Sequence, residues 1–240
     1  MTHPTTQPNA PRRIRSFVRR EGRITPGQRH ALETLLPRHG LSLDDDRLDL
    51  ATLFPHAQAI TLEIGFGNGE SLAEMAERDP SRGFIGVEVH RPGVGHLLQQ
   101  IQQRQLNNLR VVCEDALDVL RQMIPPASLD TVQLFFPDPW PKKRHHKRRI
   151  VNPEFLALVA SRLKPGGRFH MATDWEDYAA SALALLNATP EFRNLADNKG
   201  YIPRPANRPE TRFERRGQRL AHGVWDLLFA RRTSPREDTD

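Results

Sequence analysis

Leu62-Glu63-Ile64-Gly65-Phe66-Gly67-Asn68-Gly69-Glu70 decides how this chain is read. It closes an apolar, β-branched run at 60–64 and opens a helical-period segment at 71–77, so a strand passes into a helix through three glycines. Glycine takes positive φ without steric cost and lets a ligand approach the backbone closely. The order is Glu-Ile-Gly-x-Gly-x-Gly. A pyrophosphate fingerprint sets its third glycine one step later and aims the helix N-terminus at phosphate. Glu63 before the glycines and Glu70 after them would repel a pyrophosphate. They would tolerate a cationic ligand with an amino group and a sulfonium.

Outward from this turn the same alternation continues. Strand-like runs at 84–89, 111–113, 132–136 and 169–172 are separated by helical-period segments at 94–106, 117–124 and 153–163. Such βαβα order implies a mostly parallel sheet with helices on both faces. Gly166-Gly167 marks the end of the last of these helices. After a helical segment at 178–186, two more strand candidates at 192–195 and 224–230 complete seven. Acids stand at the ends of successive strands: Glu63 and the glycines Gly65 and Gly67 after the first, Glu88 after the second, Glu114-Asp115 after the third, Asp138 after the fourth. Open α/β sheets bind ligands at these carboxyl ends. An acid about 20 residues past the glycine turn, as Glu88 is, commonly accepts from ribose hydroxyls. An acid after the third strand suits an adenine amino group.

Asp138 sits in Phe136-Pro137-Asp138-Pro139-Trp140, followed by Lys142-Lys143-Arg144-His145-His146-Lys147-Arg148-Arg149. Proline pins its own φ and restricts the residue before it, so this carboxylate is held between two stiff positions. Beside it lie six fixed positive charges. Trp140 suits stacking on a base, or packing under the loop. His145 and His146 are adjacent, point apart and lack metal-ligand spacing, so no metal is expected.

The chain is 240 residues with 35 Lys+Arg against 29 Asp+Glu, and the excess is clustered. One cluster is Arg12, Arg13, Arg15, Arg19, Arg20 and Arg23, the second is the tract at 142–149, and the third runs from Arg204 to Arg219. Arginine clusters without an apolar stripe suit phosphate rather than a membrane surface. The one cysteine, Cys113, excludes an internal disulfide and a multi-cysteine zinc site. Neither a membrane-length apolar run nor a secretory h-region occurs, which makes the cytoplasm the expected compartment. Residues 1–55 read as a flexible basic arm, 56–232 as the catalytic domain and 233–240 as a disordered tail. The Pro/Arg-rich connection at 198–222 is longer than a structureless loop normally is, so a function, or ordering by a partner, is expected there.

These residues resemble the bacterial tRNA (guanine-N7-)-methyltransferase family, which has a Rossmann-like class I S-adenosylmethionine-dependent fold with a seven-stranded sheet. The matching stretches are Arg15-Ser16-Phe17-Val18-Arg19, the glycine turn from Glu63, Gly86-Val87-Glu88-Val89 and Phe136-Pro137-Asp138-Pro139-Trp140. Further matches are Lys147-Arg148-Arg149-Ile150, Leu163-Lys164-Pro165-Gly166-Gly167, Ala172-Thr173-Asp174-Trp175 and Thr211-Arg212-Phe213-Glu214. The glycine turn is common to class I methyltransferases; the Phe-Pro-Asp-Pro-Trp and Thr-x-Phe-Glu blocks are far more specific. The resemblance implies S-adenosylmethionine contacts by Glu63, Glu88, Asp115 and Asp138. It implies substrate contacts by Lys142, Asp174 and Thr211, Arg212, Phe213 and Glu214. It implies RNA contacts by Arg144, His145, His146, Lys147, Arg148 and Arg149. Asp138 is the catalytic candidate, and tRNA is the partner, with guanine 46 of the variable loop as family precedent. The expected working form is a monomer or weak homodimer without metal, membrane or accessory subunit. The competing readings are a class I methyltransferase with another substrate and a non-catalytic RNA-binding protein on the same fold.

Overall fold

A computed structural model describes residues 22–44, 47–211, 214 and 223–233. Strands β1 (Gly40–Leu41), β2 (Ala59–Ile64), β3 (Arg82–Val87), β4 (Leu109–Val112), β5 (Leu129–Phe135), β6 (Leu163–Thr173), β7 (Phe192–Asn194) and β8 (Trp225–Arg231) form one sheet. Its order is β1-β4-β3-β2-β5-β6-β8-β7. All pairs are parallel except β6 with β8 and β7 with β8. The order reverses between β2 and β5, so the loops leaving those neighbours diverge and a crevice opens at their carboxyl ends.

Helices α1 (Pro26–Thr34), α2 (Leu36–His39), α3 (Leu50–Leu53), α4 (Glu70–Arg78), α5 (Arg91–Gln103), α6 (Ala116–Gln122), α7 (Pro153–Arg162) and α8 (Glu176–Ala188) supply the cover. One core joins α6, α7 and α8 to the sheet through Val119, Leu120, Phe155, Leu156, Tyr178 and Leu186. On the other face α1, α4 and α5 bury Leu32, Leu72, Val94, Leu97 and Leu98. The parallel strands are therefore covered on both faces, which is why they read as near-continuous apolar runs.

The seven expected strands are present, and a two-residue eighth, β1, joins them by pairing with β4. It comes from the stretch expected to be an arm. Residues 1–21 lie outside the described residues, but 22–44 and 47–55 pack on the domain, and the arm assignment is corrected for them. Thr25 caps α1: its hydroxyl accepts from the Gln28 N–H, and the Gln28 side chain accepts from the Thr25 N–H at 2.9 Å. This is a capping box with proline in the first turn. Ala31 and Leu32 are buried beneath it. At Gly95 of α5 a Cβ would stand 2.9 Å from the Gln28 backbone oxygen, so the two helices cross where only glycine fits.

Two further differences have local causes. Helix α5 begins at Arg91 rather than 94, because Pro92 lies in its first turn, where a missing N–H costs nothing. Helix α7 ends at Arg162, before Gly166-Gly167, and the glycines lie within β6 at a break in register against β5. No helix among the described residues is long and apolar enough to cross a membrane.

Candidate functional site

The glycine turn places all three glycines at positive φ: 72° at Gly65, 64° at Gly67 and 77° at Gly69. Their reasons for being glycine differ. At Gly69 a Cβ would meet Leu97 at 2.7 Å, whereas at Gly65 and Gly67 it would meet none of the described residues within 4 Å. The first two therefore face an open space, and only backbone conformation excludes other residues there. That space is a cleft of about 1020 Å³ at the switch point, lined among others by Glu63, Gly65, Gly67, Glu88, Asp115, Asp138 and Thr211.

Glu63 is 3 % exposed, and its Oε2 has no hydrogen-bond partner among the described residues. Burial, and then the charge of Glu88, push its carboxyl up to about 8. An orphaned acid on the wall of a cleft costs stability until something cationic or hydrogen-bonding meets it. Glu88 is half-buried and differently employed. Its Oε2 accepts from Gly67 N–H at 2.9 Å, and its Oε1 from Val89 and His90 N–H at 2.7 and 2.9 Å. It ties the glycine turn to the end of β3. Asp115 caps α6 by accepting from Leu117 N–H at 2.9 Å. The four strand-end acids thus converge, two of them with structural duties that strand position alone did not reveal.

Asp138 is exposed on the cleft rim, and the loop bearing it is strained at both ends: Phe136 has φ 50° and Trp140 φ 46°. Bulky residues in that region cost roughly 1–3 kcal/mol each and persist only where the surroundings enforce them. Two arginines do so here. Arg149 donates from Nε to the Pro139 carbonyl at 2.9 Å and from Nη1 to Ser181 Oγ at 2.9 Å, and it pairs with Asp177. Its guanidinium lies 4.7 Å over the Tyr178 ring. The hydrogen bond from Arg149 holds the Asp177 carboxyl below the usual range. At the other end Arg208 stands 5.9 Å from the Phe136 ring and 5.8 Å from that of Phe135.

Arg149 is therefore a correction to the expected RNA tract. It is 6 % exposed and committed to the loop, because the chain turns inward after a 3-10 turn at Lys143–Arg148. Arg144 and Lys147 are exposed, and Arg148 lies 4.9 Å over the Trp140 ring. Partial desolvation and the charges of Arg144, Arg148, Lys142 and Lys147 hold His145 below its ordinary value. Arg148→Gln is expected to flatten the salt dependence of RNA binding by roughly 0.7–0.9 log–log units and leave the melting temperature unchanged. Arg149→Gln should instead lower the melting temperature, and a purely RNA-binding phenotype for it would refute the brace.

Lys142 is exposed and does not line the cleft. Asp174 follows Thr173, the last residue of β6; it is half-buried and is not among the residues that line the cleft. Thr211 lines the cleft and its hydroxyl accepts from Glu214 N–H at 3.1 Å. Glu214 is 3 % exposed and paired with Arg208 Nη1 at 2.7 Å, so its carboxylate is engaged inside the protein. Arg212 and Phe213 lie outside the described residues. The described part of the 198–222 connection is anchored internally: Arg208, 2 % exposed, also lies 2.8 Å from Asp226, which meets His170 at 2.7 Å. Gln28 of α1 and His96 of α5 also line the cleft. The first was detectable, since Thr25-Pro26-Gly27-Gln28 is a helix-start signature. Arg208 carried no signal within an arginine-rich stretch.

Among the described residues no three His, Cys, Asp or Glu side chains converge as a metal site. A family model described as "Putative methyltransferase" (Methyltransf_4) matches residues 57–227. A protein of Alcanivorax borkumensis named tRNA (guanine-N(7)-)-methyltransferase is 57% identical over 92% of this chain and 92% of its own. Its namesake in Sodalis glossinidius is 57% identical over 94% of both, and that of Escherichia coli UTI89 is 56% identical over 92% of both. Among solved structures, the 16S rRNA methyltransferase KamB covers 78% of this chain and 95% of its own at TM-score 0.59 and 16% identity. A 16S rRNA (adenine(1408)-N(1))-methyltransferase of Catenulisporales acidiphilia covers 83% and 95% at TM-score 0.54 and 16% identity. These two likenesses concern the fold.

Proposed function

The chain belongs to the tRNA (guanine-N(7)-)-methyltransferase family, and we propose that the cleft between β2 and β5 is where it methylates N7 of a tRNA guanine. The observation that carries the assignment is the convergence of Glu63, the open side of Gly65 and Gly67, and Asp138 on one cleft at the switch point. S-adenosylmethionine supplies a methyl group made electrophilic by its sulfonium. The residues present fit that group. Glu63 offers a buried oxygen, unpartnered among the described residues, suited to a cation; at the ends of β3 and β4, Glu88 Oε2, which accepts from Gly67 N–H alone, and Asp115 Oδ2, beyond its cap, can accept further.

Guanine N7 carries a free lone pair, so no proton has to leave before attack. The protein's work is alignment and electrostatics. Asp138 accepts from the guanine N1–H and amino group and favours the positive charge that the base acquires. Asp174, just past the end of β6, shares that recognition. N7 lies in the deep, narrow groove of A-form RNA, which side chains do not read, so the guanine is taken from an opened or flipped position. Trp140, at the rim, stacks on it. The exposed cations of the 142–148 tract hold the adjoining phosphates. Radiolabel transfer from S-adenosylmethionine to bulk tRNA, followed by nuclease digestion, tests the function. The family precedent, guanine 46 of the variable loop, is the position to look for. A labelled base other than N7-methylguanine overturns the assignment.

Glu63 supplies an independent test. Its carboxyl is raised from 4.5 to about 8, so its contribution to the stability of the ligand-free fold is complete below the unfolded value and is lost as pH rises through 8. A cationic cofactor reverses the balance and favours the ionised form. Binding at pH 7 is expected to release about one proton per cofactor, and binding well above pH 8 almost none. Calorimetry in buffers of different ionisation enthalpy measures this directly. Glu63→Gln should abolish the release at every pH; release persisting in that variant would assign it to another group.

A further inference from the structure

Beyond β5 the two faces of the sheet differ. Phe169, Met171, Leu227 and Phe229 join the core shared with α7 and α8. The opposite face carries Arg168 of β6 and Arg193 of β7, both paired with Ala230 of β8. Directly paired residues project from the same face, so the two arginines flank a methyl group and stand about 10 Å apart, two strand spacings. Between them opens a cavity of about 370 Å³ lined by these residues with Leu195, Arg231 and Arg232. Among the described residues its lining contains four arginines and no acid. Arg231 donates to the Leu163 carbonyl, and Arg232 Nε donates to the Phe192 carbonyl at 3.2 Å, which fixes these two in place. Arg168 and Arg193 are exposed, and their side chains make no hydrogen bond or ion pair among the described residues. The acid further along the same face of β8, Asp226, is already met by Arg208 and His170.

We propose that this notch is a second phosphate-binding surface that holds the tRNA backbone away from the reacting guanine, an inference that rests on tRNA being the substrate. Converging guanidinium groups repel one another, and an anion with several oxygens relieves that repulsion through paired hydrogen bonds. Two long side chains rooted about 10 Å apart can each take a phosphate of one chain, which a single small anion does not offer. A second copy of this face would bring only more arginines. Arg168 lies five residues before the end of β6 at Thr173, about 17 Å upstream of the cleft rim. The notch therefore serves a part of the RNA remote from the target nucleotide.

The test compares the wild-type protein with the Arg168→Gln/Arg193→Gln double variant on full-length tRNA and on a short hairpin containing the target guanine. Two lost phosphate contacts should flatten the log–log salt dependence of tRNA binding by about 1.5 units and raise KM for tRNA about tenfold near physiological salt. The kcat, the cofactor affinity by calorimetry and KM for the hairpin should stay as they are. An unaltered salt slope on full-length tRNA overturns the proposal, and so does an equal loss on tRNA and hairpin. If the wild-type protein does not methylate tRNA at all, the functional assignment falls and takes the notch with it. If it does and the double variant matches it, only the notch falls.

Discussion

Asp138→Asn is expected to slow methyl transfer on the order of a hundredfold or more in single turnovers at saturating cofactor, with tRNA binding close to wild type. The substitution keeps the size of the side chain. It removes the charge that favours a developing cation on the base, and it turns one acceptor into an amide donor facing guanine's own donors. The loop geometry should survive, because it is not held by the carboxylate. Pro137 and Pro139 restrict it, Arg149 grips the Pro139 carbonyl and Arg208 lies against the Phe136 ring. Circular dichroism and melting are therefore expected to match wild type. A near wild-type single-turnover rate would make Asp138 a structural residue and pass guanine recognition to Asp174.

Legibility in the sequence followed the physics of each element. The parallel core was plain because strands buried on both faces must be apolar throughout, and the glycine turn because positive φ at 65, 67 and 69 leaves no other choice. The convergence of Glu63, Glu88, Asp115 and Asp138 followed from strand order alone. What each acid does there was not legible. Glu88 spends its oxygens on three backbone N–H groups, and Asp115 caps a helix. Pairing decides this, and pairing depends on where the neighbouring loop returns. Arg149 shows the same limit: in a run of cations composition cannot tell the one that turns inward. The N-terminal helix was missed for another reason. The nine arginines of 12–55 read as a basic arm, while the signal for α1 is confined to one capping box.

Replacing Arg208 should have the largest effect on stability. Its guanidinium meets Glu214 and Asp226, which are 3 % and 2 % exposed, and Asp226 also holds His170. Arg208→Met keeps much of the side-chain volume but leaves Asp226 with the His170 imidazole and Glu214 with only Arg204, 4.0 Å away and half-exposed. Breaking a buried pair from one side costs roughly 3–5 kcal/mol, because the remaining charge has no water to return to. For a chain of this size that corresponds to a fall in melting temperature on the order of 10 °C. Arg208→Lys restores a charge but not the fork that meets both acids at once, so an intermediate fall is expected. Losing the network also frees the stretch that carries Thr211 and removes the guanidinium beside Phe136, so KM for tRNA should rise in both variants. Scanning calorimetry of the three proteins decides the matter. A melting temperature unchanged in Arg208→Met would mean the buried acids are met by something else, and the anchoring of this connection would have to be sought outside Arg208.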